Sequence, residues 1–210
     1  MKNRKKLLTL VCCLAIVAAV SLGATVAYLT AHGSVTNTFT LGKINPPDPD
    51  IDPELAGFLD EAKVDEYGVE DEEAEKRVLA NEYKLIPGHT YTKDPTVHIG
   101  PDSEPCYVFV KIENGISDVT EIIAPVSGWT KFDSEDNVWY QTYTTNDDEN
   151  VDFVVFQTFK VLGTATDTAL EAVKDESIVV NAYIIQSDGF ETVADAWAEV
   201  KPADESSKTE

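Results

Sequence analysis

The sequence predicts an all-β fold, an antiparallel β-sandwich with a few short helices that follows an N-terminal signal helix. Three observations lead to this prediction. Short runs of β-favouring residues recur along the chain, turn-forming Gly, Pro, Asp and Asn separate them, and no long amphipathic helices alternate with them. A parallel sheet would need such helices as crossover connections, so antiparallel pairing is expected.

The first 27 residues have the pattern of an export signal peptide. Four basic residues lie within the first six positions, and no charged residue follows until Lys43. The small residues before Tyr28 predict cleavage between Ala27 and Tyr28. The apolar stretch 7–31 is also long enough to span a bilayer, so an uncleaved membrane anchor stays open.

The stretch that follows, Tyr28–Leu41, is predicted to be a β-strand. Val35, Phe39 and Leu41 fall on one face and alternate with threonines on the other. Uncharged, proline-free segments of this kind pair readily with a strand edge. Two alternatives stay open: the stretch is the first strand of its own sheet, or it adds to the sheet of another chain.

Residues 28–200 are expected to form the β-sandwich domain, with 45–76 as a Pro- and acid-rich insertion and 201–210 as a disordered polar tail. A short helix is predicted at 53–62. The predicted strands after the insertion are "RVLANEYKLIPG", "TVHIG", "CYVFVKIENG", "VWYQTYTT", "FVVFQTFKV" and "SIVVNAYIIQ". The third, fifth and sixth are apolar on both faces, which is typical of central strands covered on two sides.

Two short helices are predicted near the C-terminal end of the domain. In "TDTALEAVKD", Thr168 and Glu171 have the spacing of a capping box. In "ETVADAWAEV", Thr192 and Asp195 have the same arrangement, and Trp197 is expected to face the sheet.

The charge of the chain excludes several classes of partner. The formal net charge is −22 at pH 7. Loss of the first 27 residues removes four of the 16 basic residues and none of the 38 acidic ones, which leaves a net charge near −26. Such a surface repels nucleic acid and anionic lipid. Cys106 is the only cysteine outside the signal, so no disulfide framework is expected and Cys106 is predicted to be a small buried apolar residue.

No sequence motif indicates catalysis, so we expect that the protein is not an enzyme and has no cofactor. The three histidines show no paired metal-ligand spacing, and His98 is predicted to lie on a strand surface. The run Asp48, Asp50 and Asp52 mimics the start of a calcium loop, but the Gly and Glu that such a loop needs are missing. A weak surface calcium site there stays open.

Four stretches together resemble the TasA/camelysin-like family of exported proteins of Gram-positive bacteria, whose signal peptide is processed by the signal peptidase SipW. The stretches are "AYLTAHGSVTNTFTLGKI", "NEYKLIPGHTYTKDPTVHI", "CYVFVKIENG" and "AYIIQSDGFETVADAW". The likeness extends over nearly the whole chain from position 28 to about position 200. The Pro-Asp insertion after Ile44 and the strong acidity depart from the plainest members.

The resemblance implies a jelly-roll-like β-sandwich and a secreted, non-enzymatic structural protein of the biofilm matrix or cell surface. Such proteins form fibres with themselves or a related subunit by N-terminal strand donation. Carried onto this chain, the donor is Tyr28–Leu41, with Val35, Phe39 and Leu41 as anchors. Camelysin-type relatives have been classed as metallopeptidases, but no zinc-binding helix is present here. The alternative function is a membrane-anchored, adhesin-like surface binding module.

Overall fold

The computed structural model describes residues 44–145 and 148–201. Within these ranges the strands are β1 (Leu59–Asp60), β2 (Thr90–Thr92), β3 (Thr96–Ile99), β4 (Cys106–Asn114), β5 (Thr130–Lys131), β6 (Val138–Tyr143), β7 (Val151–Val154), β8 (Thr158–Lys160) and β9 (Ile178–Gln186). The helices are α1 (Asp167–Ala172) and α2 (Val193–Val200), with one 3₁₀ turn at Ser117–Val119. The predicted signal peptide and first strand, and the tail from 202 onward, lie outside the described residues.

All strand pairs are antiparallel, and the strands form three sheets. The larger two have the orders β1-β3-β7 and β5-β6-β4-β9, and β2 pairs with β8 in a small third sheet. None of these sheets closes into a barrel within the described residues. The prediction of an antiparallel all-β fold with few helices is therefore confirmed.

The two larger sheets pack against each other because β4 is apolar on both faces. Val108 and Val110 are fully buried in a cluster that includes Val97 of β3 and Phe153 of β7. The intervening Phe109 points to the opposite face and packs with Trp197 of α2. Burying each such side chain contributes about 1.5–3 kcal/mol. The prediction that this strand is central and covered on two sides is confirmed.

Helix α2 begins at the predicted capping box. The Thr192 hydroxyl accepts from the Asp195 N–H at 3.2 Å, and the Asp195 carboxylate accepts from the Thr192 N–H at 3.0 Å. Trp197 and Val200 are buried against the four-stranded sheet, as expected. No helix in the described ranges is long and apolar enough to cross a membrane.

The predicted capping box of α1 is wrong. Thr166, not Thr168, caps the helix: its backbone is extended (φ −91°, ψ 158°), and its hydroxyl accepts from the Ala169 N–H at 3.2 Å. Glu171 instead forms an ion pair with Lys174 one turn later. The helix therefore begins two residues earlier than the sequence pattern indicated.

The predicted elements before β2 are also corrected. The stretch 53–62 contains strand β1 rather than a helix, because Leu59 and Asp60 pair with β3. The stretch "RVLANEYKLIPG" forms no regular strand and contributes one isolated bridge, between Val78 and Glu61. Further along, "FVVFQTFKV" divides into β7 and β8, which are outer strands of different sheets, so the prediction of one central strand is wrong.

Candidate functional site

The predicted site residues Ala27, Tyr28, Val35, Phe39 and Leu41 all lie outside the described residues. The structure does describe where the segment that carries them joins the domain, and three further features: the edge of β9, a buried ionic cluster and a cleft.

The N-terminal segment joins the domain at the turn between β3 and β4. Ile44 is buried in the cluster between the two larger sheets. The Asn45 N–H donates to the Ser103 hydroxyl at 2.9 Å, and the Asn45 carbonyl accepts from the Gly100 N–H at 3.0 Å. A Cβ atom at Gly100 would lie 1.9 Å from the Pro46 carbonyl oxygen, so only glycine permits this close approach. The entry point of the segment is therefore held in place.

Strand β9 presents a long uncharged edge. It pairs with β4 over nine residues, from Ile178 opposite Asn114 to Gln186 opposite Cys106. Within residues 44–145 and 148–201 no strand pairs with its other side. The strand has no charged residue and no proline, and Val179 is 37% exposed. Residues of both faces pack against core clusters, but β9 is an outer strand in the described structure, so the prediction of a central strand is wrong.

A buried ionic cluster surrounds Asp60 at the other sheet. Arg77 donates to Asp60 through Nε at 2.5 Å and to Asp94 through Nη1 at 2.9 Å. His98 lies 2.8 Å from Asp60 through Nε2 and 2.7 Å from Asp152 through Nδ1. Asp60 and His98 are 2% and 1% exposed, so both are shielded from solvent.

The charges in this cluster shift one another's pKa values. Burial raises the pKa of Asp60, but hydrogen bonds from His98 and Arg77 outweigh that effect and lower it below the usual range. Burial lowers the pKa of His98, but the Asp152 and Asp60 carboxylates outweigh burial and raise it to about 9. At neutral pH His98 is therefore a cation held between two carboxylates.

The cluster fastens the insertion to β3. A second buried pair, Lys93 with Glu61 at 2.5 Å, lies beside it, and Asn81 donates to Glu61 at 2.9 Å. Every buried side-chain polar atom in the described residues has a hydrogen-bond partner. These charge-assisted hydrogen bonds join β1 to β3 and to the residues before β2, which supports a structural role for the cluster.

The prediction for His98 is wrong, because this side chain is buried rather than on a strand surface. The sequence signal for burial was the position of His98 between the apolar residues Val97 and Ile99. In the structure all four residues of this strand are buried. A charged histidine at such a position requires nearby carboxylates. Asp60 and Asp152 are 38 and 54 positions away, too far for local pattern analysis to connect.

A cleft of about 650 Å³ lies where β9 begins. Leu85, Phe159, Leu170 and Ile178 contribute apolar walls, and the rim is mostly acidic. The remaining lining residues are Asn81, Glu82, Tyr83, Lys93, Ile116, Asp167, Glu171, Val173, Lys174, Glu176 and Ser177. The two lysines are already neutralised, Lys93 by Glu61 and Lys174 by Glu171. The cleft therefore combines apolar walls with a negatively charged lining.

The aspartates that mimic a calcium loop order their own loop. The Asp48 carboxylate accepts from the Asp50 N–H at 2.8 Å, and the Asp48 N–H donates to Asn150 Oδ1 at 2.8 Å. Within the described residues no group of three or more His, Cys, Asp or Glu has an arrangement that could hold a metal ion. Calcium binding at this loop stays a prediction.

Cys106 is fully buried, which confirms its predicted role as a small apolar core residue. Burial raises the pKa of its thiol to about 12, so the thiol stays protonated and unreactive at neutral pH.

Comparisons of the chain with protein-family models, with curated proteins and with solved structures find no match.

Proposed function

We propose that this protein is a secreted, non-enzymatic structural subunit of an extracellular matrix or cell surface, with a jelly-roll-like sandwich that assembles by N-terminal strand donation. In this proposal a signal peptidase such as SipW cleaves between Ala27 and Tyr28. The freed stretch Tyr28–Leu41 then completes a sheet in a second copy or in a related subunit.

The observation that carries the proposal is the edge of β9. An outer strand of nine residues exposes a row of backbone N–H and C=O groups that another strand can pair with. Proteins usually protect such edges with charges, prolines or bulges, and β9 has neither a charge nor a proline. Strand addition supplies affinity through backbone hydrogen bonds and specificity through alternate side chains.

The distribution of charge supports the same proposal. A mature net charge near −26 follows from 12 basic and 38 acidic residues, and it opposes contact between copies over most of the surface. The stretch 28–42 and strand β9 are both uncharged, so they can meet with little electrostatic cost. Assembly is thereby directed to one pair of surfaces.

The test compares chains that differ only in the proposed donor. The protein that begins at Tyr28 should form large assemblies in light scattering and elongated particles in electron microscopy. Replacing Val35, Phe39 and Leu41 by Asp should abolish assembly, because charges would enter the receiving groove. The matched control, Thr36→Ser with Thr38→Ser and Thr40→Ser, changes the opposite face and should still assemble.

Two results would contradict the proposal. One is equal assembly, or equal absence of assembly, in the Asp variant and the Ser control. The other is a mass spectrum of the exported protein that begins at Met1 rather than Tyr28, which would favour the membrane-anchored binding module.

A further inference from the structure

The two ends of β9 have different surroundings. Its last residue, Gln186, is followed by Ser187, whose N–H donates to the Pro105 carbonyl at 2.8 Å in the turn between β3 and β4. The same turn binds Asn45 through Ser103. Asn45, where a chain's own N-terminal segment joins the domain, therefore lies near the C-terminal end of β9. The cleft lies at the N-terminal end of β9.

Chain length limits how the segment can reach β9. The eight steps from Ile178 to Gln186 extend about 27 Å, and the three steps from Leu41 to Ile44 extend at most about 11 Å. A segment that lies antiparallel on its own β9 would need Leu41 beside Ile178, at the far end, which this short link cannot reach. A chain can therefore cover its own β9 only in the parallel direction.

Antiparallel addition must consequently come from another copy. Every strand pair in the described structure is antiparallel. Antiparallel pairing is also slightly more stable per residue than parallel pairing. An antiparallel strand from a second copy has its C-terminal end, Leu41–Lys43, beside Ile178 at the opening of the cleft.

Building on the proposed function, we propose that Leu41–Lys43 of the donating copy occupies the cleft at the beginning of β9 in the receiving copy. Leu41 fits the apolar wall formed by Leu85, Phe159 and Leu170. Lys43 then lies at the acidic rim near Glu176.

The charge pattern is complementary. Lys43 is the only lysine or arginine between Lys6 and Lys63, so it is the one positive side chain beside the C-terminal end of the donated strand. On the receiving side, Glu82 and Glu176 belong to the rim, and the two lysines of the cleft are already paired with carboxylates. This contact determines the direction of the donated strand.

The contact also determines how copies stack. Only Gly42 and Lys43 separate the donated strand from the donor's own Ile44, so the donor's β3–β4 turn must lie close to the receiver's cleft. The interface joins two different surfaces, the N-terminal strand of one copy and the β9 edge of the next. One surface of each kind therefore stays free, one at each end of the assembly. Repetition of such a head-to-tail contact produces an open filament unless rotation closes it into a ring.

The first experiment locates the strand by disulfide cross-linking in the full chain that begins at Tyr28. Leu41→Cys with Ile178→Cys should give intermolecular ladders on oxidation, because a disulfide needs Cα atoms within about 7 Å. The comparison variant, Leu41→Cys with Gln186→Cys, should give none. Cys106 is buried and does not compete.

Each other outcome has a defined meaning. Intramolecular bonds in the Gln186→Cys variant would mean a parallel strand within one chain, which overturns both this inference and the proposed function. Intermolecular bonds there would overturn the inference alone, since donation would then be parallel. Absence of cross-links in both variants from a chain that still assembles would also overturn only the inference.

The second experiment tests the charge contact. Lys43→Glu and Glu176→Lys should each raise the protein concentration needed for assembly about fivefold, and the double variant should restore it. Lys131→Glu on β5 is the control, because it changes the net charge by the same amount as Lys43→Glu at the opposite edge of the sheet, and it should have a smaller effect. If the effects of the two substitutions add in the double variant, the contact between Lys43 and Glu176 is overturned. Strand donation itself stays intact as long as these variants still assemble.

Discussion

The outer strands β1 and β9 end the two larger sheets in opposite ways. β1 pairs with β3 over two residues, and one of them, Asp60, is a buried carboxylate bound by Arg77 and His98. β9 pairs with β4 over nine residues and carries no charge. The first edge thus adds buried ion pairs to a short backbone pairing, whereas the second combines a long backbone pairing with apolar packing of its faces.

In the proposed assembly this difference explains why a donated strand adds to β9 rather than to β1. A strand that displaced β1 would have to separate buried charges, whose exposure or loss of partners is costly. A strand that adds to β9 meets uncharged side chains and backbone groups that no strand pairs with within residues 44–145 and 148–201. In the proposed assembly the sheet that ends at β1 therefore stays closed to other chains, and the sheet that ends at β9 receives the donated strand.

The largest expected effect is on the protected edge. Arg77→Met removes the guanidinium that pairs with fully buried Asp60, so the free energy of unfolding should fall by about 3 to 5 kcal/mol. Urea unfolding measures this. The control, Lys131→Met, breaks the exposed pair with Asp136 and should cost less than about 1 kcal/mol. Equal losses in both variants would show that the cluster is not what holds this edge.

The second effect is a dependence of stability on pH. The pKa of His98 is raised from 6.5 to about 9 in the folded protein, so its stabilising effect is complete below pH 6.5 and is lost as the pH rises through 9. The loss should be on the order of 3 kcal/mol in wild type, and His98→Gln should lack it. Unfolding at a series of pH values tests this, and parallel profiles for the two proteins would contradict it.

The third effect is confined to the open edge. Val179→Lys with Asn181→Lys adds two charges to β9, and the concentration needed for assembly should rise at least about tenfold. Stability should change by less than about 1 kcal/mol, because neither side chain is buried. Thr130→Lys, on the edge strand β5, is the control and should assemble normally. Loss of assembly in the control would mean that added charge acts nonspecifically.

The smallest effect is that of salt. Raising the ionic strength from about 0.1 M to about 1 M shortens the screening length from about 10 Å to about 3 Å. Repulsion between acidic copies should weaken, so assembly should begin at a severalfold lower concentration. The stability difference between wild type and Arg77→Met should hardly change, because the pair is largely buried. Light scattering and unfolding across the same salt series measure the two responses.

Local patterns in the sequence predicted β3, β4, β6 and β9 and the cap of α2, but not the short outer strands β1 and β5. In the run "CYVFVKIENG", successive side chains point alternately to two apolar clusters. Thr192 and Asp195 satisfy backbone N–H groups of the first helical turn over a span of four residues. These features depend on neighbours in the chain. The cluster at Asp60 does not, since Arg77 and His98 reach it from 17 and 38 positions away.

The sequence by itself determined the β-rich class of the fold, the buried state of Cys106 and the absence of charge along β9, because side-chain alternation and composition are properties of consecutive residues. Only the tertiary structure decided that β9 is an outer strand in the described ranges, that Asp60 is buried with its cations, and that the segment ending at Ile44 enters at the end of β9 opposite the cleft. Those outcomes depend on which strands pair and which faces meet, and residues far apart in the chain determine them together.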